Sequence, residues 1–413
     1  MNEYLDELFE SAIDAIRSEE LIEANEILSE MVEIDAEDPR TIEITGDVAK
    51  ESGEYEQAED CYRRLESMSD IDEIRGRAQM SLAFLFRDQE QPEAAVDYFR
   101  RSIDSFRAAG CDEERLICTG AIAEMQLQGG SFRDSVDTFQ TIIDEFEQDE
   151  EVELHVIDAM RQQAEGYRFL GELEKAETNF REVMNRSDPD DDEMYEPYAV
   201  ALDGLGVLSQ IQGRYAEADE FHQEALRLNR EFDDDIGCSV NMGNLARLNI
   251  HRQNWDEAER YLRESMAIDA EREDLNFIGY GHLIHAEIEC GRGNYDSAEE
   301  RLQRALKIAE DYGMTDDKVS AVSKLGYLRR LQGRFDEAEK FQAEARQMAE
   351  QMEHADGIAA TIDELAEIRK AQGRFDEARD LWNDALQRYE QLNSIECIRT
   401  VKVNLSGLGD GQE

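Results

Sequence analysis

The feature that most constrains the fold of this chain is a pair of small residues, twelve positions apart, that recurs ten times. The first members are Ala12, Gly46, Ala83, Ala123, Ala164, Gly206, Ala246, Ala286, Gly326 and Ala366, and the second members are Ala24, Ala58, Ala95, Ser135, Ala176, Ala218, Ala258, Ala298, Ala338 and Ala378. Two helices that cross closely need a small residue on each at the crossing point, because a larger side chain would hold the backbones apart. The pattern therefore predicts ten helical hairpins that stack as a repeat fold.

A short motif surrounds the second small residue and marks the turn of each hairpin. Its clearest copies have Gly, then an aromatic residue, Ala and a bulky residue, as in Gly53, Tyr55, Ala58 and Tyr62. The glycine is expected to end the first helix, because it readily adopts the left-handed conformation of a helix C-cap. Successive first small residues are 34 to 42 positions apart, and most of these spacings are about 40.

These small, aromatic and bulky positions resemble the motif of the tetratricopeptide repeat family over essentially the whole chain. The resemblance implies an all-α fold: a right-handed superhelical solenoid of about ten helix–turn–helix hairpins over residues 1–393. The long repeat is similar to that of kinesin light chains and Leu-Gly-Asn-type polarity adaptors. A capping helix is expected over 394–406, a flexible tail over 407–413, and a longer loop or hinge near 188–197.

Composition excludes several classes of protein. With 99 acidic and 44 basic residues, the net charge of −55 argues against a nucleic-acid coat. The chain has no run of 18 apolar residues and no signal-peptide pattern at its start, so we expect a cytoplasmic protein without a membrane span. Evenly spread acids, with 36 Arg to 8 Lys, resemble the composition of salt-in halophiles. We predict that helical circular dichroism is lost at low salt, where this charge is no longer screened.

No motif for catalysis is present: the sequence lacks a phosphate-binding GxxxxGK[ST] loop, HExxH and GxSxG. We therefore predict a protein that is not an enzyme and needs no cofactor or metal. His282, His285, Glu289 and Cys290 have metal-ligand residue types at helical spacing. Both histidines fall where the other repeats pack into the hairpin, so buried core histidines are the favoured interpretation.

A helical wheel places four positions of each first helix on the inner surface: −6, −3, +1 and +4 from the first small residue. These 40 positions hold nine basic and ten acidic residues, so the groove is less negative than the rest of the chain. Arginines dominate repeats three and five, and apolar side chains dominate repeats six to eight. The predicted partner-binding residues are Arg77, Arg87, Arg161, Arg168, Val200, Val207, Val240, Asn244, Arg247, Ile250, Tyr280, Leu283 and Arg330.

These residues predict a non-catalytic scaffold or adaptor that binds a partner's peptide or helix, an amphipathic or acidic segment, in the concave groove. A ligand-sensing or peptide-sensing regulator and a self-assembling structural protein remain as alternatives. The arginines could instead only balance nearby acids, such as Glu165 beside Arg161 and Arg168, and the apolar residues could pack between helices. RNA binding is disfavoured because the inner aromatic residues do not interleave with the arginines. The oligomeric state stays open.

Overall fold

The helices account for nearly all of the chain. The computed structural model describes residues 2–18, 20–68, 71–147, 149, 152–192, 194–272, 274–392 and 394–408. These described residues form twenty-one α-helices and no β-strand. In chain order the helices are α1 (Asn2–Arg17), α2 (Leu21–Asp35), α3 (Pro39–Glu51), α4 (Tyr55–Met68), α5 (Asp72–Asp88), α6 (Pro92–Ala109), α7 (Asp112–Gln128), α8 (Phe132–Phe146), α9 (Glu153–Phe169), α10 (Leu173–Arg186), α11 (Tyr195–Ile211), α12 (Tyr215–Glu231), α13 (Asp235–His251), α14 (Trp255–Glu271), α15 (Leu275–Arg292), α16 (Tyr295–Asp311), α17 (Thr315–Leu331), α18 (Phe335–Gln351), α19 (Ala355–Ala371), α20 (Phe375–Gln391) and α21 (Ile395–Gly407).

The chain divides into two compact units, Met1–Met125 and Gln126–Glu413, which we call unit 1 and unit 2. Unit 1 contains the hairpins α1/α2, α3/α4 and α5/α6 and most of α7, and unit 2 contains α8 to α21. Helices that follow one another in the chain pack side by side from α1 to α6 in unit 1 and from α8 to α21 in unit 2. The prediction of an all-α stack of helix–turn–helix hairpins is confirmed.

The small residues at the helix crossings are buried in both units. Every alanine of the ten pairs, and Ser135, is at most 1% exposed. Where the first member is glycine, a long side chain of the second helix occupies the space. A Cβ atom on Gly46 would lie 2.5 Å from the ring of Tyr62, and a Cβ atom on Gly206 would lie 2.5 Å from the imidazole of His222. Glycine is therefore required at these crossings by the close approach of the two helices.

The turn glycines also behave as predicted. Gly213, Gly293, Gly333 and Gly373 all have positive φ angles, between 70° and 81°. This left-handed conformation ends the first helix of each hairpin and turns the chain into the second.

Aromatic rings join parts of unit 2 that are far apart in sequence. The rings of Phe132 (α8) and Phe169 (α9) stack with centroids 4.5 Å apart. The imidazole of His354, in the turn before α19, meets Phe169 edge-on at 5.1 Å. Repeats four and five therefore touch the ninth-to-tenth repeat junction directly, in addition to the contacts between neighbouring repeats.

A second group of contacts extends this junction. Leu392, which follows α20, packs against the turn glycine Gly171, and the hydroxyl of Ser394 donates a 2.8 Å hydrogen bond to the carbonyl oxygen of Ile211. We call the whole set the seam, and its residues are Phe132, Phe169, Gly171, Ile211, His354, Leu392 and Ser394. The seam makes residues 183 positions apart in the chain part of one packed structure.

A last helix, α21, follows α20 at the C-terminal end of the described chain. α21 packs against α20, and its Val401 side chain is completely buried. Residues 409–413 of the predicted tail lie outside the described residues. Between α10 and α11, the backbone N–H of Asp190 donates to the carboxylate of Asp188 at 3.0 Å, so this segment contains a local turn. A hinge near 188–197 stays a prediction.

Candidate ligand cavity of unit 2

A cavity of about 460 Å³ opens on the inner face of unit 2. The first helices of repeats five to nine, α9, α11, α13, α15 and α17, supply most of its wall, and residues at the start of α19 complete it. The predicted partner-binding residues that line it are Arg168, Val207, Val240, Asn244, Arg247, Tyr280 and Leu283. Seven of the thirteen predicted residues are thus brought together.

The other predicted residues lie elsewhere. Val200 lines an adjoining cavity of about 490 Å³, which shares Asp203 and Val240 with the first and whose wall includes the stacked rings of Tyr195 and Phe232. Ile250 packs against the buried core of α13 to α15, as expected from packing between helices. Arg77 and Arg87 belong to unit 1, and Arg161 and Arg330 lie in unit 2 outside the cavity wall.

Most of the predicted arginines lie beside a carboxylate. The pairs are Arg77 with Glu43, Arg87 with Asp88, Arg161 with Asp158, Arg168 with Glu165, and Arg330 with Glu364. The expected neighbour of Arg161 was Glu165, but the guanidinium instead binds Asp158, one turn earlier, with Nε 2.9 Å from Oδ1. Glu165 binds Arg168 at 2.7 Å. For these five arginines the geometry favours local charge balance.

Arg247 is the exception. Its guanidinium donates a hydrogen bond to the hydroxyl of Tyr280 at 3.1 Å, and that hydroxyl donates in turn to Oδ1 of Asn244 at 3.3 Å. Among the described residues, no carboxylate lies within the 4.0 Å that defines an ion pair with Arg247. A guanidinium without a counter-ion therefore faces the cavity.

Asp203 organises the polar wall next to Arg247. Its carboxylate accepts hydrogen bonds from Nδ2 of Asn241 at 2.7 Å and of Asn244 at 2.9 Å, and it lies 2.8 Å from Nδ1 of His222. Burial raises the pKa of Asp203, but His222 and the two amides outweigh this effect, so the net shift of the pKa is downward. The ionised carboxylate therefore holds Asn244 in a fixed orientation at the cavity surface.

Three further carboxylates enter the cavity from the starts of α17 and α19: Asp316, Asp317 and Asp356. Asp316 lies 3.1 Å from Nδ1 of His354, a residue of the seam. Burial, with a smaller contribution from the charge of Asp316, raises the pKa of Asp317 to about 6. In the described part of the chain, neither Asp317 nor Asp356 has an ion pair or a hydrogen bond to its side chain.

The cavity wall is thus more acidic than the arginine positions alone suggest. Seven carboxylates line it, against the three basic side chains of Arg168, Arg247 and Lys324 and the imidazole of His354. Asp203 and Glu287 occupy inner-surface positions of the helical wheel, but they are not among the predicted partner-binding residues. Asp316, Asp317 and Asp356 carry no comparable signal, because acidic residues are common in the first turn of any helix.

His282, one of the two histidines of α15, is buried beside an arginine. His282 is only 7% exposed and contacts the guanidinium of Arg301 at 3.4 Å. Burial and the charge of Arg301 lower the pKa of His282 to about 4, so its imidazole is neutral near pH 7.

Across the described residues, no group of three or more His, Cys, Asp or Glu side chains is arranged to hold a metal ion. None of the described helices has both the length and the apolar character of a membrane span.

Comparison with solved structures finds a similar fold in the crystal structure of aspartyl phosphate phosphatase F from Bacillus subtilis. The two chains are 13% identical, with a TM-score of 0.58, and the match covers 83% of this chain and 93% of that one. At this level of identity the likeness concerns the fold alone. No curated protein matches the sequence.

The repeats themselves match a known family. Residues 45–109, 197–271, 282–351 and 318–391 match the tetratricopeptide repeat, and together these segments cover more than half of the chain. Proteins built from this repeat are in general non-catalytic scaffolds for protein–protein interaction. With its hairpins, its buried small residues and these matches, the chain belongs to the tetratricopeptide repeat family.

Proposed function

We propose that this chain is a non-catalytic binding protein whose unit 2 cavity receives a short peptide, either free or as a segment of a partner protein. The observation that carries the proposal is the cavity itself, which is built from inner-face positions of five consecutive repeats. Its volume of about 460 Å³ falls in the range of roughly 300–1,000 Å³ that is typical of small-ligand sites.

The lining supports a peptide as the occupant. Val207, Val240 and Leu283 offer apolar surface, while Asn244 and Arg247 present hydrogen-bonding groups to the same space. A peptide needs both, because its backbone must be hydrogen-bonded and its side chains must be covered. The size of the cavity favours a few peptide residues over a long helix of a partner.

The seam favours one of the alternative functions, a peptide-sensing regulator. His354 belongs to the seam through Phe169, and it also lines the cavity beside Asp316. A ligand that contacts this wall would change the stability of the seam, and opening of the seam would change the affinity for the ligand, because coupling between two sites is reciprocal.

The test is an affinity capture from cell extract in molar KCl, with the bound proteins and peptides identified by mass spectrometry. Val240→Trp fills the cavity, and Val403→Trp, on an exposed position of α21, is the matched control. We expect a stoichiometric ligand that wild type and Val403→Trp retain and Val240→Trp loses. Retention by all three proteins would place binding elsewhere and contradict the proposal.

A further inference from the structure

Arg247, Asp317 and Asp356 all line the cavity of unit 2, and in the described part of the chain none of them forms an ion pair. From this arrangement we infer that the bound peptide carries a basic group and a free carboxylate, with the basic group facing Asp317 and Asp356 and the carboxylate facing Arg247. The inference rests on the proposed function and specifies the chemical class of its ligand.

The acidic side of the cavity contains two carboxylates that lack a counter-ion in the described part of the chain. Asp317 and Asp356 are half-buried, and no cation pairs with either of them in the described part of the chain. A half-buried carboxylate without a counter-ion is unfavourable, and a ligand ammonium or guanidinium group would relieve that cost.

Position in a first helical turn does not explain these two carboxylates. Asp296 and Asp336 occupy the first turns of α16 and α18, and both lie exposed on the surface. The interaction with the helix dipole is thus available without burial in a cavity. What distinguishes Asp317 and Asp356 is that both line the same cavity as Arg247.

Of the three cationic side chains in the wall, Arg168 and Lys324 are paired with acids of the wall, and Arg247 has no ion pair among the described residues. Glu287 and Asp356 act on its guanidinium electrostatically, but both lie beyond ion-pair distance. Glu287 forms its own ion pair with Lys324, which leaves it less able to neutralise Arg247. A guanidinium presents two parallel N–H groups that match a carboxylate, so the carboxyl terminus of a short peptide is a suitable partner.

A single ligand that carries both charges therefore neutralises the two aspartates and also Arg247. A purely cationic amine would leave Arg247 without a counter-ion, and a purely anionic ligand would meet the repulsion of Asp317 and Asp356. A short peptide with a Lys or Arg side chain, or a free amino terminus, and a free carboxyl terminus satisfies both groups and leaves its apolar atoms for Val207 and Val240.

The experiment uses two pools of random tetrapeptides, one with free carboxyl termini and one amidated, both amino-terminally acetylated. Each pool is equilibrated with the full chain in molar KCl, and the retained peptides are identified by mass spectrometry. For wild type we expect about fivefold enrichment of peptides that contain Lys or Arg, and about fivefold preference for the free acids, the effect of one ion pair at each side.

Two sets of variants separate the two sides. Asp317→Asn with Asp356→Asn should lose the enrichment of basic peptides and keep the preference for free acids. Arg247→Gln should lose the preference for free acids and keep the enrichment of basic peptides. Asp336→Asn, an exposed first-turn aspartate, is the matched control and should keep both preferences. Circular dichroism of each variant checks that the fold is intact.

The outcomes distinguish this inference from the proposed function. Peptides that are retained by wild type and lost from Val240→Trp, but show no basic enrichment, would overturn the inference and leave peptide binding in place. Enrichment of acidic peptides would overturn it in the same way. If wild type retains no peptide, or if Val240→Trp retains the same peptides, the proposed function fails together with the inference. The selection by wild type alone gives a result even if a variant does not fold.

Discussion

Glu43 in unit 1 and Asp203 in unit 2 occupy the same position of their repeats, three residues before a crossing glycine, yet their pKa values move in opposite directions. Burial raises the pKa of Glu43 to about 7, and Arg77, at 3.4 Å, only partly opposes this effect. The pKa of Asp203 is lowered, because His222 and two amides surround it. The repeat position determines where a carboxylate lies, and the neighbouring helices determine whether it is charged.

A third copy of the position sharpens the comparison. Asp363 accepts hydrogen bonds from Nε1 of Trp382 at 2.8 Å and from the hydroxyl of Tyr389 at 3.5 Å, but burial still raises its pKa to about 6. Trp382 and His222 stand at the same place in their second helices, four residues after the small residue. Two neutral donors at Asp363 therefore do not offset the effect of burial on the pKa, whereas an imidazole and two amides at Asp203 do.

The largest expected effect is the loss of Asp203. Asp203→Ala should destabilise unit 2 by about 3–5 kcal/mol, because it removes the acceptor that buried His222 and two asparagine amides share. Both tryptophans, Trp255 and Trp382, lie in unit 2, so denaturant unfolding followed by tryptophan fluorescence reports on this unit. Glu43→Gln in unit 1 is the control and should leave that transition in place. If Asp203→Ala unfolds at the same denaturant concentration as wild type, the contacts around Asp203 do not stabilise unit 2 and the comparison is contradicted.

The next effect concerns the seam, which joins distant repeats of unit 2. Leu392→Ala should destabilise unit 2 by about 2–3 kcal/mol, since it removes a buried side chain that packs against Gly171. The same fluorescence measurement applies. Val403→Ala, at an exposed position of α21, is the control and should have no measurable effect. Equal transitions for the two variants would show that the seam contributes nothing to stability.

The free energy of unfolding of unit 1 should depend on pH through the titration of Glu43. Its pKa is about 7 when folded and about 4.3 when unfolded. As the pH rises through this interval the unfolded state releases the proton first, so stability falls by about 2–3 kcal/mol between pH 5 and pH 8 and levels off above pH 7. The lowered pKa of Asp203 has the opposite sense: its contribution is complete above about pH 3.9 and is lost below it.

Hydrogen exchange of the amides of α3 and α4, corrected for the intrinsic rate, measures this dependence between pH 5 and pH 8. Glu43→Gln should flatten the dependence, because the glutamine side chain does not titrate. A slope that is the same in Glu43→Gln and in wild type would show that another group causes it.

The smallest effect is expected at the ion pairs of the groove. Arg161→Gln should change the stability of unit 2 by less than about 0.5 kcal/mol, because the Arg161–Asp158 pair is partly exposed and close in sequence. Thermal unfolding in low and in molar KCl checks this value. A larger loss would mean that Arg161 has a structural role beyond balancing the charge of Asp158.

Several features of the fold follow from local sequence. The small pairs, such as Ala246 with Ala258, predicted the buried crossings, because close packing of two helices tolerates no larger residue there. The turn glycines were predicted for a similar local reason, because the left-handed end of a helix favours glycine. The helical wheel also placed Val207 and Arg247 on the surface that lines the cavity, since the periodicity of a helix determines which residues share a face.

The contacts between distant repeats were decided by the tertiary structure alone. The pairing of Ser394 with Ile211 depends on the rotation of every repeat between them, and small differences in each repeat accumulate over that distance. The same accumulation brings Asp356 of α19 to the cavity that contains Arg247 of α13. By itself the sequence determined an all-helical repeat protein with a lined inner face, because those properties come from neighbouring residues. Which charges meet across that face was decided by the folded structure, because electrostatic interaction depends on distance in space and on burial.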